Sequence, residues 1–211
     1  MTDHDSLIEA LSRSAKPVNR PWPAAVRATA CAAAALGAGW LAAGAVPMSW
    51  TNLNGAGPFW GALELAMTAI LGLAALLQAF EMSIAGRSPR GLPWVKGCLL
   101  AWLGASFAGI MLEAAPASAP GDRLYCFPFL LGAGIPMMLP VILALRRTRT
   151  LQPGRTSLVA GLGIAALAAS LLAVCHPFAL SMVDFAMHLA GMASIVLLMV
   201  GIGQRWIAVR P

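Results

Sequence analysis

The chain has 211 residues, of which 59% are hydrophobic and only 10% are charged, and its mean hydropathy is +0.78. A soluble domain carries roughly 25% charged residues, so this composition excludes a protein that faces water over most of its surface. The net charge of +6 does not indicate nucleic-acid binding, because the basic residues follow a membrane topology.

Residues 1–22 are predicted to form a cytoplasmic tail with a short amphipathic helix. Ser6 followed by Glu9 predicts a capping box at the start of this helix, and Pro17 is expected to end it. The apolar side chains of the tail share one helical face: Leu7, Ile8 and Leu11. A helix of about ten residues is marginal alone in water, so we expect this one to be ordered against a partner.

Residues 23–206 are predicted to form six transmembrane helices, which makes the chain an all-α, multi-pass membrane protein. The six apolar runs are residues 24–46, 59–83, 94–114, 125–145, 157–174 and 179–203. Each is long enough, or nearly so, to cross a bilayer as a helix. The fourth contains Pro128, Pro136 and Pro140, so we expect it to be kinked or broken.

The distribution of Lys and Arg predicts the orientation of these spans. If the N-terminus is cytoplasmic, Arg123 is the only one of the 14 Lys and Arg residues that falls on the outer side. The positive-inside rule therefore predicts that both termini are cytoplasmic, including the short C-terminal end at residues 207–211.

This topology places two of the four cysteines, both histidines beyond the tail and most of the intramembrane carboxylates in the outer half of the membrane. Cys126 opens the fourth span and Cys175 closes the fifth. The ionisable groups of this half are Glu64, Glu113, His176, Asp184 and His188. Polar groups inside a membrane are expensive to keep and indicate a function. Cys31 and Cys98 lie toward the cytoplasmic ends and are expected to be packing residues.

The outer cysteines allow more than one interpretation. Cys126 and Cys175 could form a disulfide in an oxidising compartment. They could instead hold a metal such as zinc, with Asp184 or Glu113 as a further ligand, or simply pack as small apolar residues. Asp184 and His188 lie four residues apart on one helical face, where they could hold helices together or take part in sensing.

No catalytic motif is present, so neither enzymatic activity nor a cofactor is expected. The chain has no glycine-rich phosphate loop, no HExxH and no nucleophile elbow. The main alternative function is a small transporter with a proton or metal path through Glu64, Glu113, Asp184 and His188. A membrane redox protein with haem or quinone would need His176 and His188 as axial ligands.

Several of these features together resemble the NrsF-type anti-sigma factors, and the resemblance covers nearly the whole chain. These are six-span inner-membrane proteins of proteobacteria that negatively regulate extracytoplasmic-function sigma factors. The features that carry the resemblance are the tail Leu7-Ile8-Glu9-Ala10-Leu11 with Pro17-Val18, the outer Cys126, the arginines after the fourth span, and Cys175-His176-Pro177 followed by His188.

The resemblance implies that the tail binds and sequesters a sigma factor, while the outer cysteines sense heavy-metal or oxidative stress. The sigma-contacting residues would be Leu7, Ile8, Ala10, Leu11, Pro17 and Val18. The sensing pair would be Cys126 and Cys175, with His176, Asp184 and His188 beside it. The implied partners are the sigma factor and the lipid bilayer of the bacterial inner membrane, without direct nucleic-acid binding.

Overall fold

The computed structural model describes residues 3–14, 21–44, 58–84, 86–87, 90–112, 126–148, 150–175 and 182–208. These residues form seven helices: α1 (Asp3–Ser14), α2 (Ala24–Ala43), α3 (Pro58–Met82), α4 (Leu92–Leu112), α5 (Cys126–Arg146), α6 (Pro153–Cys175) and α7 (Met182–Ile207). Six of them, α2 to α7, are long and apolar enough to cross a membrane. The predicted all-α, six-span architecture is therefore confirmed.

Two local predictions about the helices differ from the structure, one entirely and one in part. α1 begins at Asp3, so Ser6 lies inside the helix rather than at its cap, and Glu9 instead accepts a hydrogen bond from Arg13 Nη2 at 2.7 Å. α5 is one continuous helix with Pro136 and Pro140 inside it, so the span is not broken, while a kink at these prolines stays a prediction. Its contacts with α2, α6 and α7 hold it in place where the prolines remove backbone hydrogen bonds.

α6 is the central helix of the bundle. It packs against α2, α3, α5 and α7, and 78% of its most apolar stretch is buried inside the protein. At the crossing of α3 and α6, a Cβ atom added to either Gly72 or Gly163 would lie 3.1 Å from the carbonyl oxygen of the other residue. Small residues of this kind let two membrane helices approach closely.

Four helices, α2, α3, α5 and α7, surround α6. α5 packs against α2 and α7, and α3 packs against α2 and α4. α5 and α7 run in the same direction, because Gly191 lies against Leu130 and Gly134 lies against Ile195. α4 lies at the rim, where only 17% of its most apolar stretch is buried.

The two ends of the bundle differ in charge. One end, here called the basic end, contains the start of α2, the end of α7 and the connections from α3 to α4 and from α5 to α6. The described cations of the bundle lie there: Arg27, Arg87, Arg90, Lys96, Arg146, Arg147, Arg155 and Arg205. The opposite end, here called the Cys126 end, contains the first turns of α3, α5 and α7.

Thr150 connects three helices at the basic end. Its main-chain N–H donates to Ile207 O at the end of α7, at 3.2 Å. Its hydroxyl donates to Met82 O at the end of α3, at 3.3 Å, and lies 3.1 Å from Thr156 Oγ1 in the first turn of α6. The connection between α5 and α6 is thus held by hydrogen bonds rather than by apolar packing alone.

Candidate functional sites on the tail helix and around Cys126

The first candidate site is the apolar face of α1. Leu7, Ile8 and Leu11 are exposed by 57%, 64% and 60%, and Ala10 is also exposed. The opposite face carries the ion pair between Arg13 and Glu9, which supports an isolated helix because the two residues are four apart. α1 is therefore an amphipathic helix with an uncovered apolar face. Two further residues predicted to contact a sigma factor, Pro17 and Val18, lie outside the described residues.

The second candidate site surrounds Cys126, the first residue of α5. Its side chain is completely buried. Because α5 and α7 run in parallel, the first turns of α7 lie at the level of Cys126, and Asp184 is close enough to interact electrostatically with the thiol. Asp184 and His188 are 1% and 7% exposed. The structure thus brings Cys126 and Asp184 together, with His188 one turn deeper in the membrane.

His188 forms a hydrogen bond within its own helix. Its Nδ1 atom donates to the main-chain oxygen of Asp184 at 2.6 Å, since a carbonyl oxygen can only accept. In the neutral imidazole this leaves Nε2 as the nitrogen that carries no proton. Nε2 is therefore the His188 atom that could accept a proton or bind a metal.

The other predicted sensing residues are only partly described. α6 runs antiparallel to α7, because Gly161 lies against Met199 and Gly154 lies against Gln204, and so it also runs antiparallel to α5. Cys175 ends α6 and Cys126 begins α5, so both residues lie at the same end of the bundle. The side chain of Cys175, all of His176, and Glu113 lie outside the described residues. A disulfide between the two cysteines therefore stays a prediction.

The metal interpretation receives no support from the part of the chain that the structure describes. Within that part, no group of three or more His, Cys, Asp or Glu side chains could hold a metal ion. A zinc site normally has four ligands, or three and a water. Cys126, Asp184 and His188 alone do not provide that arrangement.

Two buried polar residues near this site were not predicted from the sequence. Trp102 and Ser106 lie one turn apart on α4 and are 1% and 7% exposed. Trp102 Nε1 and Ser106 Oγ have no hydrogen-bond partner among the described residues. The Trp102 ring lies 6.2 Å from the ring of Phe185 on α7, beside Asp184. A tryptophan in the middle of a span rather than at its interface was the signal available in the sequence.

The cysteines of the basic half behave as predicted for packing residues. Cys31 and Cys98 are half-buried and lie against the core. Cys31 Sγ donates to Pro140 O on α5 at 4.0 Å.

Comparisons with protein-family models, with curated proteins and with solved structures give no match to this chain. The assignment to the NrsF-type family therefore depends on the sequence resemblance alone.

Proposed function

We propose that the protein is a membrane anti-sigma factor that holds an extracytoplasmic-function sigma factor on α1 and releases it in response to stress chemistry at the Cys126 end. The observation that carries this proposal is the uncovered apolar face of α1, placed directly before the first span. In this proposal the protein is a regulator without catalytic activity in a bacterial inner membrane, with both termini in the cytoplasm.

The face of α1 has the chemistry of a peptide that docks into an apolar groove. Such helices present anchors at one face, as Leu7, Ile8 and Leu11 do. Burying three side chains of this kind contributes about 5 to 8 kcal/mol before the costs of ordering the helix and immobilising the partner. The net binding free energy after those costs is smaller, which suits binding that has to be reversed.

The signal would act through the burial of Cys126. Oxidation of Cys126 and Cys175 by a peroxide would form one S–S bond and transfer two electrons to the oxidant, while coordination of a soft metal ion would add bulk and charge. Either change occurs at a fully buried position, where close packing leaves little room for it. α5 crosses from Cys126 to the basic end and packs on α2, the helix that follows the tail.

The sequestering half is tested by a transcription reporter for each extracytoplasmic-function sigma factor of the host. The double variant Leu7→Asp, Leu11→Asp should raise expression of one of these reporters as much as deletion of residues 1–20 does. Ser6→Asp adds the same carboxylate to the opposite face of α1 and should leave repression intact. Repression that persists without residues 1–20, at equal membrane abundance, would refute the proposal.

The sensing half is tested separately. Cys126→Ser should abolish induction by cadmium or by peroxide while basal repression is kept. Cys31→Ser, at the other end of the bundle, serves as the matched control and should respond normally. If Cys126→Ser responds like the parent protein, the sensing half is wrong and the sequestering half is unaffected.

A transporter is the second candidate function, and it is favoured by the burial of Asp184 and His188 within an apolar helix. It predicts proton or metal flux in reconstituted vesicles that persists after residues 1–20 are removed. Flux that is lost in Asp184→Asn and His188→Gln would favour this function over the regulatory one.

A further inference from the structure

Arg27 occupies an unusual position at the basic end of the bundle. It lies in the first turns of α2 and is half-buried between α2, α3 and α5. Its Nη2 atom donates to Thr148 Oγ1 at 3.0 Å, and its guanidinium carbon lies 4.7 Å from the centre of the Phe80 ring. The Nη1 atom is buried and has no hydrogen-bond partner among the described residues.

The charge of Arg27 is not neutralised by a described side chain. Arg27 forms no ion pair with a carboxylate of the described residues. A guanidinium group has several N–H donors, of which Thr148 accepts one. A buried charged donor without an acceptor is costly, so this position favours an anion from outside the chain.

Arg147 adds a second positive charge at the same place. It follows the last residue of α5 and is exposed. Arg147 directly precedes Thr148 along the chain, and Thr148 accepts the hydrogen bond from Arg27. The two guanidinium groups therefore lie on one seam between α2 and α5, with the Thr148 hydroxyl beside Arg27.

This seam lies at the depth where lipid headgroups are expected. Trp22 precedes α2 and is 70% exposed, and Trp206 near the end of α7 is 52% exposed with Arg146 stacked 5.3 Å from its ring. Exposed tryptophans at the ends of membrane helices mark the interface between headgroups and hydrocarbon. A phosphate in that layer would lie level with Arg27 and Arg147.

We infer that Arg27, Arg147 and Thr148 form a binding site for the phosphate of an anionic phospholipid headgroup. A guanidinium fork matches the oxygens of a phosphate better than an ammonium group does. The exposed apolar side chains of Val26 and Leu143 on the same two helices provide surface for the acyl chains. The inference is independent of the proposed regulatory function.

The site differs from general attraction between basic residues and a charged membrane. Arg90 and Arg205 are exposed at the same end of the bundle, as Arg147 is. Arg147 differs because it precedes Thr148, which accepts a hydrogen bond from Arg27, so a phosphate at Arg147 also meets a second, half-buried guanidinium group. Arg27 is partly covered by protein and has an unpaired donor. The structure therefore assigns specific lipid binding to the seam and only diffuse attraction to the rest of the basic end.

The test uses the full chain in nanodiscs of phosphatidylcholine, with and without added phosphatidylglycerol, and native mass spectrometry to count retained lipids. Phosphatidylglycerol should raise the melting temperature and remain bound. Arg147→Gln should weaken its binding by about tenfold, as expected for one lost charge-assisted hydrogen bond. Arg90→Gln and Arg205→Gln remove the same charge away from the seam and should bind as the parent does.

Arg27→Lys keeps the charge of Arg27 but loses its planar fork, so it should fold and lose binding. Equal losses in Arg90→Gln and Arg147→Gln would overturn the site, because binding would then be diffuse. Inorganic phosphate that stabilises the protein and displaces phosphatidylglycerol would overturn the assignment to a lipid in favour of a free phosphate.

Discussion

Helices α6 and α4 are both apolar enough to cross a membrane, yet α6 is buried among other helices and α4 lies at the rim of the bundle. The most apolar stretches of the two helices have mean hydropathies of 2.2 and 1.6, and they are 78% and 17% buried. The difference lies in the size of the side chains. α6 has buried small residues on several sides, including Ala160, Gly163, Ala165, Ala166 and Ala168, while α4 presents Leu100, Phe107 and Met111 outward.

This comparison shows what determines helix packing in this protein. Lipid chains are as apolar as leucine, so hydropathy does not separate a protein-facing helix from a lipid-facing one. A helix becomes protein-facing when its backbone can approach that of a neighbour closely. This approach needs small residues on both helices, as at Gly72 and Gly163. α2 is also rich in alanine, but only 28% of its most apolar stretch is buried. Small residues on one helix are therefore not sufficient to bury it among its neighbours.

The largest effect is expected from Leu167→Ala in α6. Leu167 is 1% exposed, so the change removes van der Waals contacts and leaves a cavity that costs about 2 to 3 kcal/mol of unfolding free energy. Leu100→Ala is the matched change in α4, where the side chain is 68% exposed, and it should cost less than about 0.5 kcal/mol. Unfolding of the purified protein in mixed micelles with increasing SDS measures both. Equal losses would contradict the central position of α6.

A smaller loss is expected from Gly163→Ala. The added Cβ would lie 2.9 Å from Leu76 Cγ and 3.1 Å from Gly72 O, so α3 and α6 would have to separate. This should lower the free energy of unfolding by about 1 to 2 kcal/mol. Gly104→Ala adds the same atom to α4, where nothing lies within 4 Å. It should leave stability unchanged or raise it by up to about 1 kcal/mol, because alanine favours a helix more than glycine does.

Thr150→Val tests how the start of α6 is held and should have the smallest effect. It removes the hydrogen bond to Met82 O and the contact with Thr156 Oγ1, which should cost roughly 1 kcal/mol. Thr29→Val is the control, since the exposed Thr29 hydroxyl donates only to carbonyl oxygens of its own helix, at Ala25 and Val26. If Thr29→Val lowers the free energy of unfolding as much as Thr150→Val does, the hydrogen bonds from Thr150 to α3 and α6 do not stabilise the protein.

The sequence predicts the six spans well because the bilayer imposes a minimum apolar length on each. It does not predict which span is central, since that depends on pairs such as Gly72 and Gly163 that are distant along the chain. The Ser6 cap fails because the chain becomes helical earlier, at Asp3. The break considered for the fourth span is absent because the proline rule describes an isolated helix, whereas Pro136 and Pro140 lie in a helix held by its neighbours.

Part of the candidate site also follows from the sequence. Alternating spans place the first turns of α5 and α7 at the same end, so Cys126 and Asp184 could be expected to lie near each other, as they do. The sequence does not place Trp102 and Ser106 near this site, because the contact of Trp102 with Phe185 joins two helices that are distant along the chain. Nothing in the spacing of α4 indicates which neighbour it meets.

The complete burial of Cys126 sets a limit on how fast any reagent can reach it. A thiol reagent can modify this sulfur only during a local opening of the bundle, and at high reagent concentration the observed rate equals the opening rate. Chemical modification of Cys126 then measures the internal motion of the protein rather than the abundance of the reagent. A stimulus that disappears before the next opening would leave the thiol unchanged, so the fold itself would discriminate brief exposure from sustained exposure.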